Sequence, residues 1–127
     1  MQDDDQANKV FQHFTTGTPH HLTSTMSDIA PDISQYIKEF VFGKIYARDT
    51  LSDEEKTLTT IVTLMAMGGC EAELNNHVNV ALNVGVQPQK IVNVLIQALP
   101  YAGFPRVINA VQVAKAVFIE RGVDYQP

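Results

Sequence analysis

The run GGCEAELNNHVNVALNVG, residues 68–85, decides how the rest of the chain is read. Two glycines punctuate its start, a segment of helical period follows, and Gly85 stands where a helix C-cap favours glycine. At roughly 100° per residue, Asn75, Asn76, Asn79 and Asn83 fall in one arc, which reads as the solvent face. Leu74, Val78, Ala81, Leu82 and Val84 lie opposite. Cys70, Glu73 and His77 share that second side, within roughly 60° of one another. The spacing predicts an amphipathic helix that turns two ionisable groups toward packed protein.

Outward from this helix the pattern stays helical. On its N-terminal side, Ser52 and Glu55 form the S-x-x-E signature of a capping box. The helix they open carries Leu58, Ile61, Val62, Leu64 and Met65 and stops at Gly68-Gly69. Pro31, a favoured first helical position, opens an earlier helix with Ile33, Tyr36, Ile37, Phe40 and Val41 at amphipathic spacing, running to about Arg48. A short first helix is expected over residues 5–14, with Val10, Phe11 and Phe14 on one side, followed by the loop TTGTPHHLTSTMSD.

On the C-terminal side, QPQKIVNVLIQAL opens with Pro88 and is apolar on nearly all sides, as in a helix that is central or lies between subunits. Pro100 ends or kinks it, Pro105 opens a last helix and Gly122 closes that one. The expectation is a single compact all-α domain of five to six helices. Residues 1–30 form an N-terminal helix and loop, 31–122 the helical domain and 123–127 a tail.

Composition narrows the function classes. A hydrophobic fraction of 45% with 18% charged residues belongs to a globular protein and excludes a disordered one. The net charge of −5 argues against a nucleic-acid partner, which calls for a basic stripe. A single cysteine excludes an internal disulfide and suits a reducing, cytoplasmic setting. The N-terminal MQDDDQANKV lacks the apolar run of a signal peptide, and no apolar stretch reaches membrane-spanning length, so no membrane partner is expected.

Glu73 and His77, at i and i+4, can touch. They read either as an acid–base unit or as a satisfied structural pair with Cys70 a small buried hydrophobe. Metal binding needs more ligands than one glutamate and one histidine supply, and His13, His20 and His21 in the N-terminal segment read as solvated, so no metal or other cofactor is expected. Cys70 follows the two glycines at a helix start, where free backbone N–H groups stabilise negative charge on sulfur, whereas Glu71 and Glu73 oppose it.

These residues carry a family resemblance. Residues 40–118, FVFGKIYARDTLSDEEKTLTTIVTLMAMGGCEAELNNHVNVALNVGVQPQKIVNVLIQALPYAGFPRVINAVQVAKAVF, resemble the carboxymuconolactone decarboxylase-like family, which includes alkylhydroperoxidase D. Its most specific pieces here are ELNNHVNVALNVGV, YAGFP and NAVQVAK. The resemblance implies an all-helical subunit in a homo-oligomer, a trimer or hexamer, acting on a small-molecule substrate. The peroxidase branch carries C-x-x-C-x-x-x-H with a glutamate on the preceding helix. In this chain Cys70 and His77 match, Glu73 replaces the second cysteine, and Leu58 stands at the place of the glutamate. A dithiol cycle within one subunit is therefore excluded. The decarboxylase branch has E-L-x-x-H and a Y-x-G-x-P turn, met by Glu73, Leu74, His77, Tyr101, Gly103 and Pro105. The chain departs from it in Pro100 before the tyrosine and in Lys56 where an arginine is common.

The resemblance to that branch implies a lyase that decarboxylates an unsaturated lactone acid. Loss of carbon dioxide leaves electron density that spreads into the lactone, so the site needs a cation, a hydrogen-bond donor and an acid. His77 is the acid–base candidate, Glu73 the residue that orients it, Arg48 the carboxylate anchor and Tyr101 the hydroxyl. Two rival readings stand beside it. One is a one-cysteine thiol peroxidase using Cys70 and an external thiol, and the other is a non-catalytic oligomeric binding protein.

Overall fold

The computed structural model describes residues 2–19 and 22–127. All of its regular structure is helical among the described residues. The elements are α1 (Gln2–Thr15), a 3₁₀ turn (Leu22–Thr25), α2 (Pro31–Tyr36) continued as a π-helical stretch (Ile37–Ile45), α3 (Asp53–Met67), α4 (Glu71–Asn83), α5 (Pro88–Gln97), the single turn α6 (Leu99–Ala102) and α7 (Phe104–Glu120).

Local chemistry sets most of these limits. At the start of α3 the Ser52 N–H donates to Glu55 Oε1 at 2.8 Å and the Glu55 N–H to Ser52 Oγ at 3.1 Å, the reciprocal capping box expected from the spacing. Those bonds hold the Glu55 carboxyl below its ordinary value. Pro31, Pro88 and Pro105 each stand in the first turn of a helix. Gly68 and Gly69, with φ of 72° and 71°, turn the chain from α3 into α4 through a conformation that side chains resist. Pro100 stands in the first turn of α6, which ends at Ala102, so the chain bends twice between α5 and α7.

α2 departs from the expected face. Ile33, Tyr36 and Phe40 are exposed, whereas Phe42 and Tyr46 are buried. Ile37 and Val41 of the expected face do pack on the aromatic side chains, and beyond Tyr36 the winding changes, the Tyr46 N–H donating to Val41 O, five residues back, at 2.8 Å. A π-helical stretch has more residues per turn than an α-helix, so a 3.6-residue wheel loses phase through it. Gly43 sits where α1 crosses, and a Cβ there would lie 2.9 Å from that of Ala7.

Two apolar clusters hold the molecule together. The larger joins Ile61 and Met65 of α3, Leu74, Val78 and Ala81 of α4, Ile91 and Leu95 of α5, and Val107, Ala114 and Val117 of α7. The smaller is aromatic and joins Phe14, Phe42 and Tyr46 to Val80 of α4. Phe14 meets Tyr46 edge-on at 4.8 Å between ring centroids. α4 therefore runs between the two clusters.

The asparagine face of α4 is not the solvent face expected of it. Asn79 is 1% exposed and Asn83 is half-buried. Arg121, just beyond α7, donates to Asn79 O at 3.0 Å, Asn79 Oδ1 at 3.1 Å and Asn83 Oδ1 at 2.7 Å. Asn83 Nδ2 donates in turn to Phe14 O at 2.8 Å and Thr18 Oγ1 at 2.9 Å. A helical wheel registers polarity, and here the polar side is buried against other polar groups.

Candidate functional site

Arg48, Lys56 and Tyr46 meet at a cavity of about 420 Å³, closed by Ile45, Leu51 and the hydroxyls of Thr59 and Thr60. It lies where the π-helical end of α2 turns toward α3. A short loop of hydrogen bonds fixes one wall. Tyr46 OH lies 2.7 Å from Thr60 Oγ1, Thr60 Oγ1 donates to Lys56 O at 2.9 Å, and Lys56 Nζ donates to Tyr46 O at 2.8 Å. Arg48 is exposed at the cavity and is available to an anion. Two cations beside several hydroxyls make an anion-binding wall.

His77 lies one ring away. Its imidazole stacks on Tyr46 with centroids 6.4 Å apart and planes 18° from parallel, and it is not itself among the cavity's walls. The residue is half-buried, but its Nδ1 is enclosed and has no hydrogen-bond partner among the described residues. Desolvation pushes its pKa from 6.5 down to about 4, and the nearby charge of Glu73 recovers only part of the shift. At neutral pH the ring of the free protein is uncharged.

The other residues singled out in the sequence do not converge on His77. Glu73 is exposed, not turned into packed protein, and no hydrogen bond joins it to His77 among the described residues. Cys70 is the N-cap of α4, with φ −115° and ψ 37°, so its side chain does not follow the helical wheel. It is half-buried, its Sγ donates to Gly68 O at 3.5 Å, and it faces a crevice of about 20 Å³ shared with Arg106 and Asn109. Tyr101 stands 87% exposed on α6 and does not line the Arg48 cavity. His13 pairs with Asp53 at 2.7 Å on the surface, and His20 and His21 lie outside the described residues.

Sequence reasoning missed Tyr46 and Thr60. Lys56 and Thr60 stand at i and i+4 on one face of α3, which was a usable signal, but nothing local announced that Tyr46 would meet them. A wider groove of about 670 Å³ runs between α4 and α7, walled by Asn75, Asn76, Asn109 and Gln112 with Glu71 as its charge. Among the described residues it offers no cation for an anionic substrate, and the smaller Arg48 cavity is the better candidate on chemical grounds.

The chain belongs to the carboxymuconolactone decarboxylase family, which it matches over residues 31–116. It is 30% identical over 98 residues, 77% of this chain and 72% of the relative, to the 4-carboxymuconolactone decarboxylase of Acinetobacter baylyi. It is 27% identical over 108 residues, 84% of this chain and 81% of the relative, to a Paracoccus denitrificans protein described as an uncharacterized 15.0 kDa protein in the nqo9-nqo10 intergenic region. No helix among the described residues is long and apolar enough to cross a membrane.

Proposed function

We propose that the protein is a lyase that decarboxylates an unsaturated lactone acid of the 4-carboxymuconolactone type, working as a cytoplasmic homo-oligomer, a trimer or hexamer. The observation that carries this reading is the cavity, where Arg48 and Lys56 stand beside hydroxyls and an unpartnered imidazole nitrogen lies one ring away. The substrate carboxylate pairs with Arg48. As its carbon leaves as carbon dioxide, the bonding electron pair passes into the lactone as a dienolate, and a proton returns to carbon. His77 is the residue assigned to that proton. A bound carboxylate adds negative charge near the ring beside that of Glu73, which favours the protonated form. Tyr101, exposed on α6, serves a site only across a subunit boundary.

The test is direct. Purified protein is incubated with 4-carboxymuconolactone, and carbon dioxide release is followed beside loss of substrate absorbance. Turnover that falls at least tenfold in Arg48→Ala is expected. A folded wild-type protein that releases no carbon dioxide would remove the activity.

A second reading rests on Cys70, whose half-buried sulfur shares its crevice with the Arg106 guanidinium. In that reading the sulfur attacks a hydroperoxide, releasing the alcohol and leaving a sulfenic acid that two external thiols reduce, yielding a disulfide and water.

A further inference from the structure

Among the hydroxyl-bearing residues of the cavity wall, Tyr46 has bonding that leaves its O–H free to change partners. Thr60 has a single hydroxyl proton, and its Oγ1 lies 2.9 Å from the Lys56 carbonyl, which can only accept. In the resting site that proton goes to Lys56 O, so the 2.7 Å contact between Thr60 and Tyr46 is made by the tyrosine as donor. When an acceptor oxygen enters the cavity, the Tyr46 O–H can turn onto it while Thr60 rotates its own proton onto the Tyr46 oxygen. Lys56 O keeps its place in the α3 hydrogen-bond ladder throughout. Both arrangements leave every donor with an acceptor.

We propose that Tyr46 is the hydroxyl donor of this site, giving its O–H to an oxygen of the ligand that Arg48 and Lys56 hold, with Thr60 as the partner it exchanges. The assignment rests on reading the cavity as the substrate site and moves the hydroxyl role from the exposed Tyr101 to a buried, oriented group. Burial raises the Tyr46 pKa, outweighing the opposing bond to Thr60, so the phenol stays protonated at neutral pH and acts as a donor. A donor fixed in this way acts most strongly on an oxygen whose negative charge grows during reaction, as the lactone oxygen does when the carboxylate leaves.

Two probes test the assignment. Maleate, a small unsaturated dicarboxylate that cannot turn over, is titrated calorimetrically, and 4-carboxymuconolactone is assayed for turnover. Tyr46→Phe keeps the ring in its aromatic cluster and against His77 and removes only the oxygen. It is expected to bind maleate about 5–10-fold more weakly and to lower kcat about 10²-fold. Thr60→Val removes the resting partner, so maleate should bind at least as tightly as to wild type, and this arm stands if Tyr46→Phe melts early. A wild type that binds maleate but releases no carbon dioxide would defeat the lyase reading, and the binding arms would still support the donor assignment. Maleate affinity in Tyr46→Phe within twofold of wild type, weaker binding in Thr60→Val, or no binding by the wild type would overturn it.

Discussion

The imidazole of His77 lies nearly parallel to the phenol ring of Tyr46, 6.4 Å away between centroids. The contact joins α4 to the end of the π-helical stretch and brings a neutral histidine next to the cavity that holds Arg48. A stacked, desolvated ring resists protonation, so the proton chemistry at this position depends on what negative charge arrives beside it.

That contact predicts a pH-dependent stability of definite sign. The folded His77 titrates at about 4 and an unhindered imidazole at 6.5, so between these values the unfolded chain binds a proton that the folded chain refuses. Stability attributable to His77 is therefore full above pH 6.5, falls as the pH drops toward 4 and levels off below. The loss is on the order of 2 kcal/mol once the water that still reaches the half-buried residue is allowed for. Denaturant midpoints measured from pH 7.5 to pH 4 should show this slope, and His77→Asn should flatten it.

Replacing His77 and Glu73 separates catalysis from architecture. If His77 moves the proton, His77→Gln lowers turnover by about 10²–10⁴ while the fold persists. Glu73→Gln costs less activity and, because Glu73 is exposed, shifts stability by no more than about 0.5 kcal/mol. Thermal melting beside turnover reads both. Normal turnover in His77→Gln with a lowered melting point would make the histidine a packing residue.

Asn83 is expected to be worth more than its polarity suggests. Asn83→Ala removes the acceptor of Arg121 and the donor to Phe14 O and Thr18 together. A loss of about 2–3 kcal/mol, roughly 8–12 °C in Tm, is expected by differential scanning calorimetry. Asn76→Ala, on the same helix and outside this network, should change Tm little.

Cys70 decides between the two chemistries. Under the lyase reading, Cys70→Ser keeps lactone turnover within a few-fold and melts near wild type. A sulfenic acid trapped at Cys70 after peroxide, together with loss of all activity in the serine variant, would move the assignment to the peroxidase.

The apolar residues left outside the core predict assembly. Within α5, Ile91 and Leu95 are fully buried in the subunit, but Ile96 and, beyond the helix, Tyr101, Phe104 and Ile108 are at least half exposed. Light scattering at low micromolar concentration should give a multimer, and Ile96→Glu with Phe104→Glu should dissociate it. A wild-type monomer would contradict the expectation.

The helices were legible because their signals are local. The Ser52–Glu55 box, the first-turn prolines at 31, 88 and 105 and the glycine pair at 68–69 act within one turn of chain. Of the candidate site, Arg48 was singled out in the sequence and lines the cavity, and His77 lies behind it. What escaped was tertiary. The π-helical winding set Tyr46 inward, the N-cap geometry of Cys70 took it off the helical wheel, and the polar burial of Asn79 depends on an arginine at the far end of α7.

α4 is engaged on three fronts. Leu74, Val78 and Ala81 engage an aliphatic core, Val80 an aromatic one, and Asn79 and Asn83 an amide–guanidinium lattice. A slide of this helix along its axis would break three unlike registers at once, which makes it the axle of the molecule. None of those three registers is made by Glu73 or Cys70. Glu73, exposed on this axle, can therefore be exchanged for another side chain without disturbing any of the three.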